Sequence, residues 1–278
     1  MTGKKRLGVV AALILSVFFA LLFFDNRNAV PVLNYHQIND TEKNSLTVNT
    51  EQFAAQMKYL HDAGYTTITM TDMLNAWDNG APLPDRPVII TFDDGYMDNY
   101  RHAFPILKQY GHKATVFIVT DYVNTYPNYI TWDNAREMLQ SGVIDIGSHT
   151  LSHQDLTRLQ SEEEIRFQLF GSRQAIAWHL KKDADFLAYP AGRFSEKIAA
   201  LTQEAGYKAA FTVHYGLTAP NEPRFAMSRI PVFGSNTHTL LRFKLRLWFA
   251  PIIEPLNDLK LSLISAGYQN AARIIFIP

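Results

Sequence analysis

Apolar and polar positions along the chain follow two patterns, short apolar runs and longer helical stretches. Residues 87–92 (PVIITF) and 114–119 (ATVFIV) are nearly continuous apolar runs, which are typical of strands buried on both faces of a parallel sheet. Helical periodicity separates them from Tyr96 to Tyr110, and Gly111 ends that pattern. The alternation continues to Val213 and predicts an α/β domain with a parallel sheet, either open or closed into a barrel.

The N-terminus has a different pattern. Lys4, Lys5 and Arg6 precede an uncharged apolar stretch over residues 7–24. A stretch of about 18 apolar residues is just long enough to span a bilayer. The basic flank should stay cytoplasmic, so we expect the rest of the chain on the other side of the membrane. A cleaved signal peptide is the alternative, although no small-residue cleavage site follows the run. We therefore predict a single-pass membrane anchor.

Three segments follow from these patterns. Residues 1–29 hold the basic flank, the anchor and a linker, residues 30–235 form the main domain, and residues 236–278 form a helical tail. In the tail, residues 240–249 mix basic and bulky apolar side chains, which suits either a membrane interface or packing against the domain. The basic residues there alternate and follow no helical stripe, so the pattern speaks against an amphipathic helix.

Composition excludes several classes of function. The 26 basic and 26 acidic residues balance, so nothing predicts a surface for a polyanion such as nucleic acid. Cysteine is absent, which excludes disulfides, a thiol nucleophile and any metal site built on cysteine.

Ionisable side chains cluster where two of the predicted strands end. Asp93 and Asp94 follow one apolar run, and His149 and His153 follow another. Active sites of parallel α/β folds gather at the carboxyl ends of strands. One carboxylate and two imidazoles suit zinc or a similar ion, which leaves one carboxylate for proton transfer. The spacing of the histidines predicts that both rings lie on one face of a helical turn.

Each motif taken alone has a simpler explanation. An Asp-Asp-Gly sequence is usually a turn, and a histidine after a strand often has no role beyond its place near a helix cap. The occurrence of both motifs at strand ends of one α/β unit favours the metal site. The sequence therefore predicts a metal-assisted hydrolase.

These two motifs resemble those of a known family. Residues 91–95 (TFDDG) and 149–153 (HTLSH) resemble the first two signature motifs of the polysaccharide deacetylases, carbohydrate esterase family 4. The resemblance covers roughly residues 30–232. It implies a distorted (β/α) barrel of parallel strands and the hydrolysis of an N-acetyl amide on an N-acetylhexosamine polymer, with residues 30–235 as the deacetylase domain.

The same resemblance implies roles for the clustered side chains. Asp93 is expected to be the general base. Asp94, His149 and His153 are expected to be the ligands of Zn²⁺ or of another divalent metal such as Co²⁺ or Ni²⁺.

The third motif differs from the commonest family form. Residues 188–192 (AYPAG) resemble a subgroup version without the arginine that usually orients the base. Tyr189 and Ala191 are predicted to contribute to substrate binding or, through a backbone N–H of this turn, to stabilisation of the oxyanion. Arg229 is the candidate to replace the missing arginine beside Asp93, with a surface or structural role as the alternative.

The general acid is assigned by a further resemblance. Residues 32–38 (VLNYHQI) resemble the opening segment of the subgroup that deacetylates poly-β-1,6-N-acetylglucosamine. In that subgroup the barrel order is circularly shifted and this histidine supplies the acid. His36 is therefore the predicted acid, and His214, which also follows a short strand, is the alternative. For both histidines, the alternative to a catalytic role is that the ring only packs at the end of a strand.

Aromatic side chains are candidates to stack on sugar faces, with packing in the core or at the rim as the default. The candidates are Tyr96, Tyr189 and Trp132.

Together these observations predict a membrane-anchored, extracytoplasmic, metal-dependent N-deacetylase of an N-acetylglucosamine polysaccharide. Peptidoglycan and a lipid-linked sugar are the alternative substrates. A carbohydrate-binding module without chemistry is a rival from another class, and a tethered protein that docks onto a polysaccharide synthase or export complex is a second.

Overall fold

The computed structural model describes residues 28–234, 239–275 and 277. The strands in this part of the chain are β1 Val32–Tyr35, β2 Gln37–Ile38, β3 Thr47–Val48, β4 Thr66–Thr67, β5 Pro87–Phe92, β6 Ala114–Ile118, β7 Ile144–Ser148, β8 Phe186–Ala188, β9 Ala209–Tyr215 and β10 Met227–Pro231. The helices there are α1 Thr50–Asp62, α2 Met70–Asn79, α3 Phe104–Tyr110, α4 Trp132–Gln140, α5 Glu162–Leu180, α6 Glu196–Glu204, α7 Leu240–Trp248, α8 Ala250–Ser265 and α9 Gln269–Ile274.

Seven of these strands close a parallel barrel. The order around it is β1, β5, β6, β7, β8, β9 and β10, and β10 pairs again with β1. Val32 of β1 aligns with Ile89 of β5 on one side, and Leu33 aligns with Ile230 of β10 on the other. Strand β4 pairs only with the first two residues of β5. The predicted barrel of parallel strands is confirmed.

Successive residues of a barrel strand belong to two different cores. In β5, Val88 and Ile90 pack in the larger core shared with the helices, whereas Ile89 packs with Phe117 and Phe211 in the smaller one. The two phenylalanine rings lie 6.0 Å apart and fill the barrel interior. Both faces of the strand are therefore apolar, which is why the strands appear as continuous apolar runs.

The segment between β5 and β6 departs from the single helix predicted over residues 96–110. A π-helical turn, Asn99–Ala103, precedes α3. Asn99 is buried, and its amide donates to the carbonyl of His36 at 2.7 Å. Such turns are frequent at functional sites. Here the turn holds the backbone where β1 ends.

The C-terminal tail contains helices α7, α8 and α9. Helix α7 begins after the cap Thr239 and buries Phe243 and Leu247. Trp248 donates from Nε1 to the hydroxyl of Tyr59 on α1 at 2.7 Å. The two buried residues lie one turn apart on the same face, so the prediction against an amphipathic helix is wrong. The spacing of the apolar residues, and not that of the basic ones, determines the face.

The predicted anchor at residues 7–24 and the predicted boundary between residues 235 and 236 lie outside the described residues. Across the described ranges, no helix has both the length and the apolarity to cross a membrane. The first described residues are attached to the barrel. The carbonyl of Asn28 accepts a hydrogen bond from Trp77, and Val30 pairs with Thr218.

Candidate active site

The predicted polar side chains meet at one rim of the barrel. His36 follows β1, Asp93 and Asp94 follow β5, and His149 follows β7. Arg229 reaches the same rim from β10. Because all the barrel strands are parallel, their carboxyl ends lie at the same end of the barrel, where active sites of such folds are found.

Asp93 is a buried carboxylate with both oxygens engaged. Arg229 donates from Nη1 to Oδ1 and from Nη2 to Oδ2, both at 2.7 Å. Asn34 donates to Oδ2 at 2.9 Å. Burial by itself would raise the pKa of Asp93, but the adjacent Arg229 guanidinium outweighs it and holds that pKa below the usual range. Asp93 is therefore ionised and fixed in orientation.

Arg229 has no exposed surface. Its Nε donates to the carbonyl of Thr212 at 2.8 Å, and its Nη1 donates to the hydroxyl of Thr91 at 3.2 Å. The pairing of β9 with β10 is irregular here, and such bulges change the direction of local groups. A surface position for Arg229 is excluded, and its guanidinium contacts the carboxylate that lacks the usual arginine.

Asp94, His149 and His153 bring three ligand atoms together. The Nε2 atoms of His149 and His153 each lie 3.3 Å from Oδ1 of Asp94. The ligand atoms of all three residues lie within 4.8 Å of one another. The predicted helical turn is wrong, because residues 149–153 form a loop with left-handed backbone at Thr150 (φ 67°) and His153 (φ 59°). Such strained backbone is concentrated at functional sites.

Hydrogen bonds determine which nitrogen of His149 faces Asp94. Its Nδ1 donates to the carbonyl of Ala188 at 2.7 Å, so in the neutral ring the lone pair lies on Nε2. The loop is held by its own polar groups as well. The N–H of His153 donates to the hydroxyl of Thr150 at 3.2 Å.

The chemistry of this donor set fits a divalent cation. A carboxylate oxygen and imidazole nitrogens are electron-pair donors, and their close approach is favourable with a positive charge between them. Three protein ligands with further positions open to water and substrate are typical of catalytic zinc. Zn²⁺ fits, and so do Co²⁺ and Ni²⁺, which accept the same nitrogen and oxygen ligands.

The two candidate acids lie in different places. His36 is largely buried at the rim, where burial lowers its pKa and the charges of Asp93 and Asp94 oppose that shift. His214 is 42% exposed and pairs with Asp258 of α8 at 3.4 Å. The structure therefore brings His36, and not His214, to the site.

In the third motif, residues 188–192, the turn remains a candidate part of the site and the tyrosine ring does not. Tyr189 is fully buried, and its hydroxyl donates to the carbonyl of Phe225 at 3.0 Å. Its N–H donates to the carbonyl of Phe211 at 3.0 Å. Stacking of Tyr189 on a sugar is therefore excluded, the default of core packing holds, and its N–H is already engaged. Ala191 is exposed in the turn, with a left-handed φ of 54°, and its backbone stays the candidate for the oxyanion.

The other aromatic candidates differ from each other. Trp132 is buried and stacks on His179 of α5 with ring centroids 4.2 Å apart, so its ring offers no surface to a sugar. Tyr96 follows the aspartate pair and stacks on Tyr129 at 5.0 Å. Burial raises the pKa of Tyr96, and the nearby charge of Asp94 raises it further.

Asn34 is a site residue that sequence reasoning missed. It is 1% exposed, it donates to Asp93, and its Oδ1 is buried without a hydrogen-bond partner in the described part of the chain. A signal was present, because Asn34 is the polar residue of an otherwise apolar strand. A cluster of tyrosines between β6 and α4 was missed as well.

Comparisons with known proteins agree with this geometry. The model of the polysaccharide deacetylase family matches residues 80–210, which include Asp93, Asp94, His149 and His153. YxkH of Bacillus subtilis (strain 168), which carries a polysaccharide deacetylase name, is 33% identical over 203 residues, or 73% of this chain and 71% of that protein.

Two further relatives carry more specific names. The poly-β-1,6-N-acetyl-D-glucosamine N-deacetylase of Staphylococcus aureus (strain MSSA476) is 29% identical over 230 residues, covering 73% of this chain and 78% of its own length. The structure of the Streptococcus pyogenes deacetylase PplD in complex with acetate superposes with a TM-score of 0.70 at 26% identity, covering 74% of this chain and 92% of that one.

Proposed function

This chain belongs to the polysaccharide deacetylase family, and from that premise we propose that it hydrolyses the N-acetyl groups of an N-acetylglucosamine polysaccharide with a divalent metal. The observation that carries the proposal is the oriented Asp93 carboxylate beside the converging ligand atoms of Asp94, His149 and His153. The name of the staphylococcal relative supports poly-β-1,6-N-acetylglucosamine as the first substrate to test. Peptidoglycan and lipid-linked sugars are the alternatives.

The ligand set would hold the ion through one oxygen and two nitrogens, those of Asp94, His149 and His153. When bound, the ion supplies the positive charge that polarises the acetyl carbonyl. The carbonyl of Ala188 keeps His149 in the tautomer that this requires. A backbone N–H in the turn that contains Ala191 is the candidate to share the developing negative charge.

Asp93 accepts the proton of the attacking water. Its Oδ2 already accepts two hydrogen bonds, from Arg229 and Asn34, whereas Oδ1 accepts one from Arg229. A carboxylate oxygen has two acceptor positions, so Oδ1 keeps one for the water. The guanidinium keeps the carboxylate ionised and aimed before the substrate arrives.

His36 protonates the departing nitrogen. The bond between the acetyl carbon and the amide nitrogen breaks, and a bond between that carbon and the water oxygen forms. One water proton passes to Asp93, and the nitrogen leaves as an amine with the proton from His36. The products are acetate and a glucosamine residue, which is cationic at neutral pH.

Acetate release tests the proposal. The full chain, purified in detergent and loaded with zinc or cobalt, is offered poly-β-1,6-N-acetylglucosamine oligomers and peptidoglycan, with the Asp93→Asn variant as the blank. We expect release from the β-1,6-linked oligomers. Release from peptidoglycan alone would change the substrate, and binding without release in the metal-loaded protein would favour a carbohydrate-binding module.

The location outside the cytoplasm is part of the proposal. It is supported by the basic residues before the apolar run at residues 7–24. Protease added to intact spheroplasts should degrade the deacetylase domain. Degradation only after lysis would contradict this orientation. In a separate experiment, co-purification of a synthase or export protein would support a role in a larger assembly.

A further inference from the structure

Four tyrosine rings form a continuous cluster that begins beside the ligand set. Tyr96 stacks on Tyr129 at 5.0 Å between centroids, and Tyr122 meets Tyr129 edge-on at 4.9 Å. Tyr126 packs edge-on against Tyr122 at 5.2 Å and lies 6.1 Å from Tyr129. Tyr126 is the outermost of them, and 49% of it is exposed. The cluster thus extends from the rim of the barrel to the surface.

The loop that carries three of these rings, residues 119–131, is bonded to both ligand-bearing loops. The N–H of Ile130 donates to the carbonyl of Gly95 at 3.0 Å, and the N–H of Asp121 donates to the carbonyl of Leu151 at 2.9 Å. Because the metal ligands lie in those same two loops, the tyrosine rings are held at a fixed position relative to them.

A half-exposed ring that is held edge-on by other rings is a rigid, flat and apolar surface. The C–H face of a pyranose packs on such a ring and leaves the hydroxyl groups of both in water. Asn128 of the same loop and Met97 line an open polar cleft of about 390 Å³. That volume falls in the range of small-molecule sites, about 300–1,000 Å³. Pro127, which follows Tyr126 in the chain, lines the same cleft.

We propose that Tyr126, supported by Tyr122 and Tyr129, is a stacking subsite for a second pyranose ring, next to the residue that is deacetylated. This inference rests on the proposed function and adds to it that the enzyme recognises more than one sugar of the polymer. Longer oligomers then bind more tightly than short ones. The gain comes from a ring whose position is fixed before the polymer binds.

Steady-state kinetics of the full chain test this subsite with Tyr126→Ala and Tyr126→Phe. Tyr268→Ala is the matched control, because Tyr268 is 65% exposed in the turn between α8 and α9. The substrates are β-1,6-linked N-acetylglucosamine oligomers, from the disaccharide to the hexasaccharide, and a small acetyl ester without a sugar. We expect Tyr126→Ala to raise KM for the hexasaccharide about 3- to 10-fold, the size of one aromatic contact. The rate of Tyr126→Ala on the ester should match that of the unmodified protein. Tyr126→Phe and the control variant should match the unmodified protein on the oligomers as well.

Two results for Tyr126→Ala would overturn the subsite. One is an unchanged KM for the hexasaccharide. The other is an equal loss of activity on the ester and on every oligomer, which would mean that the ring has only a structural role. Failure of the proposed function appears differently, as no acetate release from any oligomer by the unmodified protein. Calorimetric titration with the hexasaccharide then decides. Affinity that falls in Tyr126→Ala and not in Tyr268→Ala supports the subsite, whereas equal affinities or no binding by the unmodified protein refute it.

Discussion

Asp93 and Asp94 are neighbours in the chain, yet their surroundings differ in kind. Asp93 accepts hydrogen bonds from Arg229 and Asn34 at 2.7 to 2.9 Å, so its charge is balanced by the protein. Asp94 faces two imidazole nitrogens at 3.3 Å, and that of His149 carries a lone pair when the ring is neutral. The protein itself therefore balances the charge of Asp93, whereas the charge of Asp94 is suited to be balanced by a bound cation.

The backbone separates the two side chains. Asp93 continues the extended strand, since its N–H donates to the carbonyl of Tyr35 at 2.9 Å. Asp94 then takes a left-handed φ of 73°, followed by Gly95 at 78°, and the chain turns away. A Cβ on Gly95 would lie 2.9 Å from Ile118, so glycine is required there. This turn thus directs two neighbouring aspartate side chains into different surroundings, which gives them different chemical properties.

Removal of the Asp94 carboxylate should have the largest effect. We expect Asp94→Ala to lose bound metal and all measurable turnover, because two imidazoles without the carboxylate are too few ligands. Metal content after dialysis, measured by plasma mass spectrometry, checks this. Asp133→Ala, at an exposed position of α4, is the control. Normal metal occupancy in Asp94→Ala would assign the ligand role elsewhere.

Neutralising Asp93 should separate binding of the metal from catalysis. Asp93→Asn is expected to retain the metal and to lower the rate about 10²- to 10⁴-fold, the contribution of a general base. The same metal analysis, combined with acetate release, checks both parts. Loss of metal in this variant, with normal metal in Asp94→Ala, would reverse the two roles.

Arg229 should matter for stability as well as for activity. Arg229→Met leaves the fully buried Asp93 charge without its partner, so unfolding in urea should show a loss of ~3–5 kcal/mol. The double variant Arg229→Met with Asp93→Asn should recover much of this loss, because no buried charge is left. Additive losses in the two single variants would show that the pair is not coupled.

His36 lies near both aspartates, and its effect on the rate should depend on the leaving group. We expect His36→Ala to retain metal and to deacetylate sugars about 10²-fold more slowly. Hydrolysis of an aryl acetate should change little, since a phenolate leaves without a proton. Equal losses on both substrates would contradict the role of His36 as the acid.

Asn34 should have the smallest effect. Asn34→Ala removes one of three hydrogen bonds to Asp93, and we expect kcat to fall about tenfold, consistent with one bond to a charged group. Metal content should be unchanged, and Asn34→Asp should be worse because a second negative charge meets Asp93. Asn270→Ala on α9 is the control. An unaffected kcat in Asn34→Ala would limit Asn34 to a structural role.

The sequence was sufficient for the barrel strands and for naming the candidate ligands that the structure brings together. Buried strands of a parallel barrel are apolar on both faces, so β5 appears as a continuous run with Asp93 and Asp94 at its end. Asp93 and Arg229 are 136 positions apart, and Asn34 is 59 positions from Asp93. No local pattern indicates such contacts. The burial of Tyr189 and the clustering of Tyr126 with its neighbours depend in the same way on how the loops pack.

Local physical chemistry, readable in the order of residues, specifies the alternation of strands and helices, the strand ends where chemistry gathers, and the types of side chain available there. Closure of the barrel specifies which of these side chains meet. Whether a carboxylate receives a guanidinium or faces two imidazoles depends on distances of a few ångströms between distant segments. Hydrophobic periodicity acts between near neighbours in the chain, whereas hydrogen bonds and charges act between near neighbours in space.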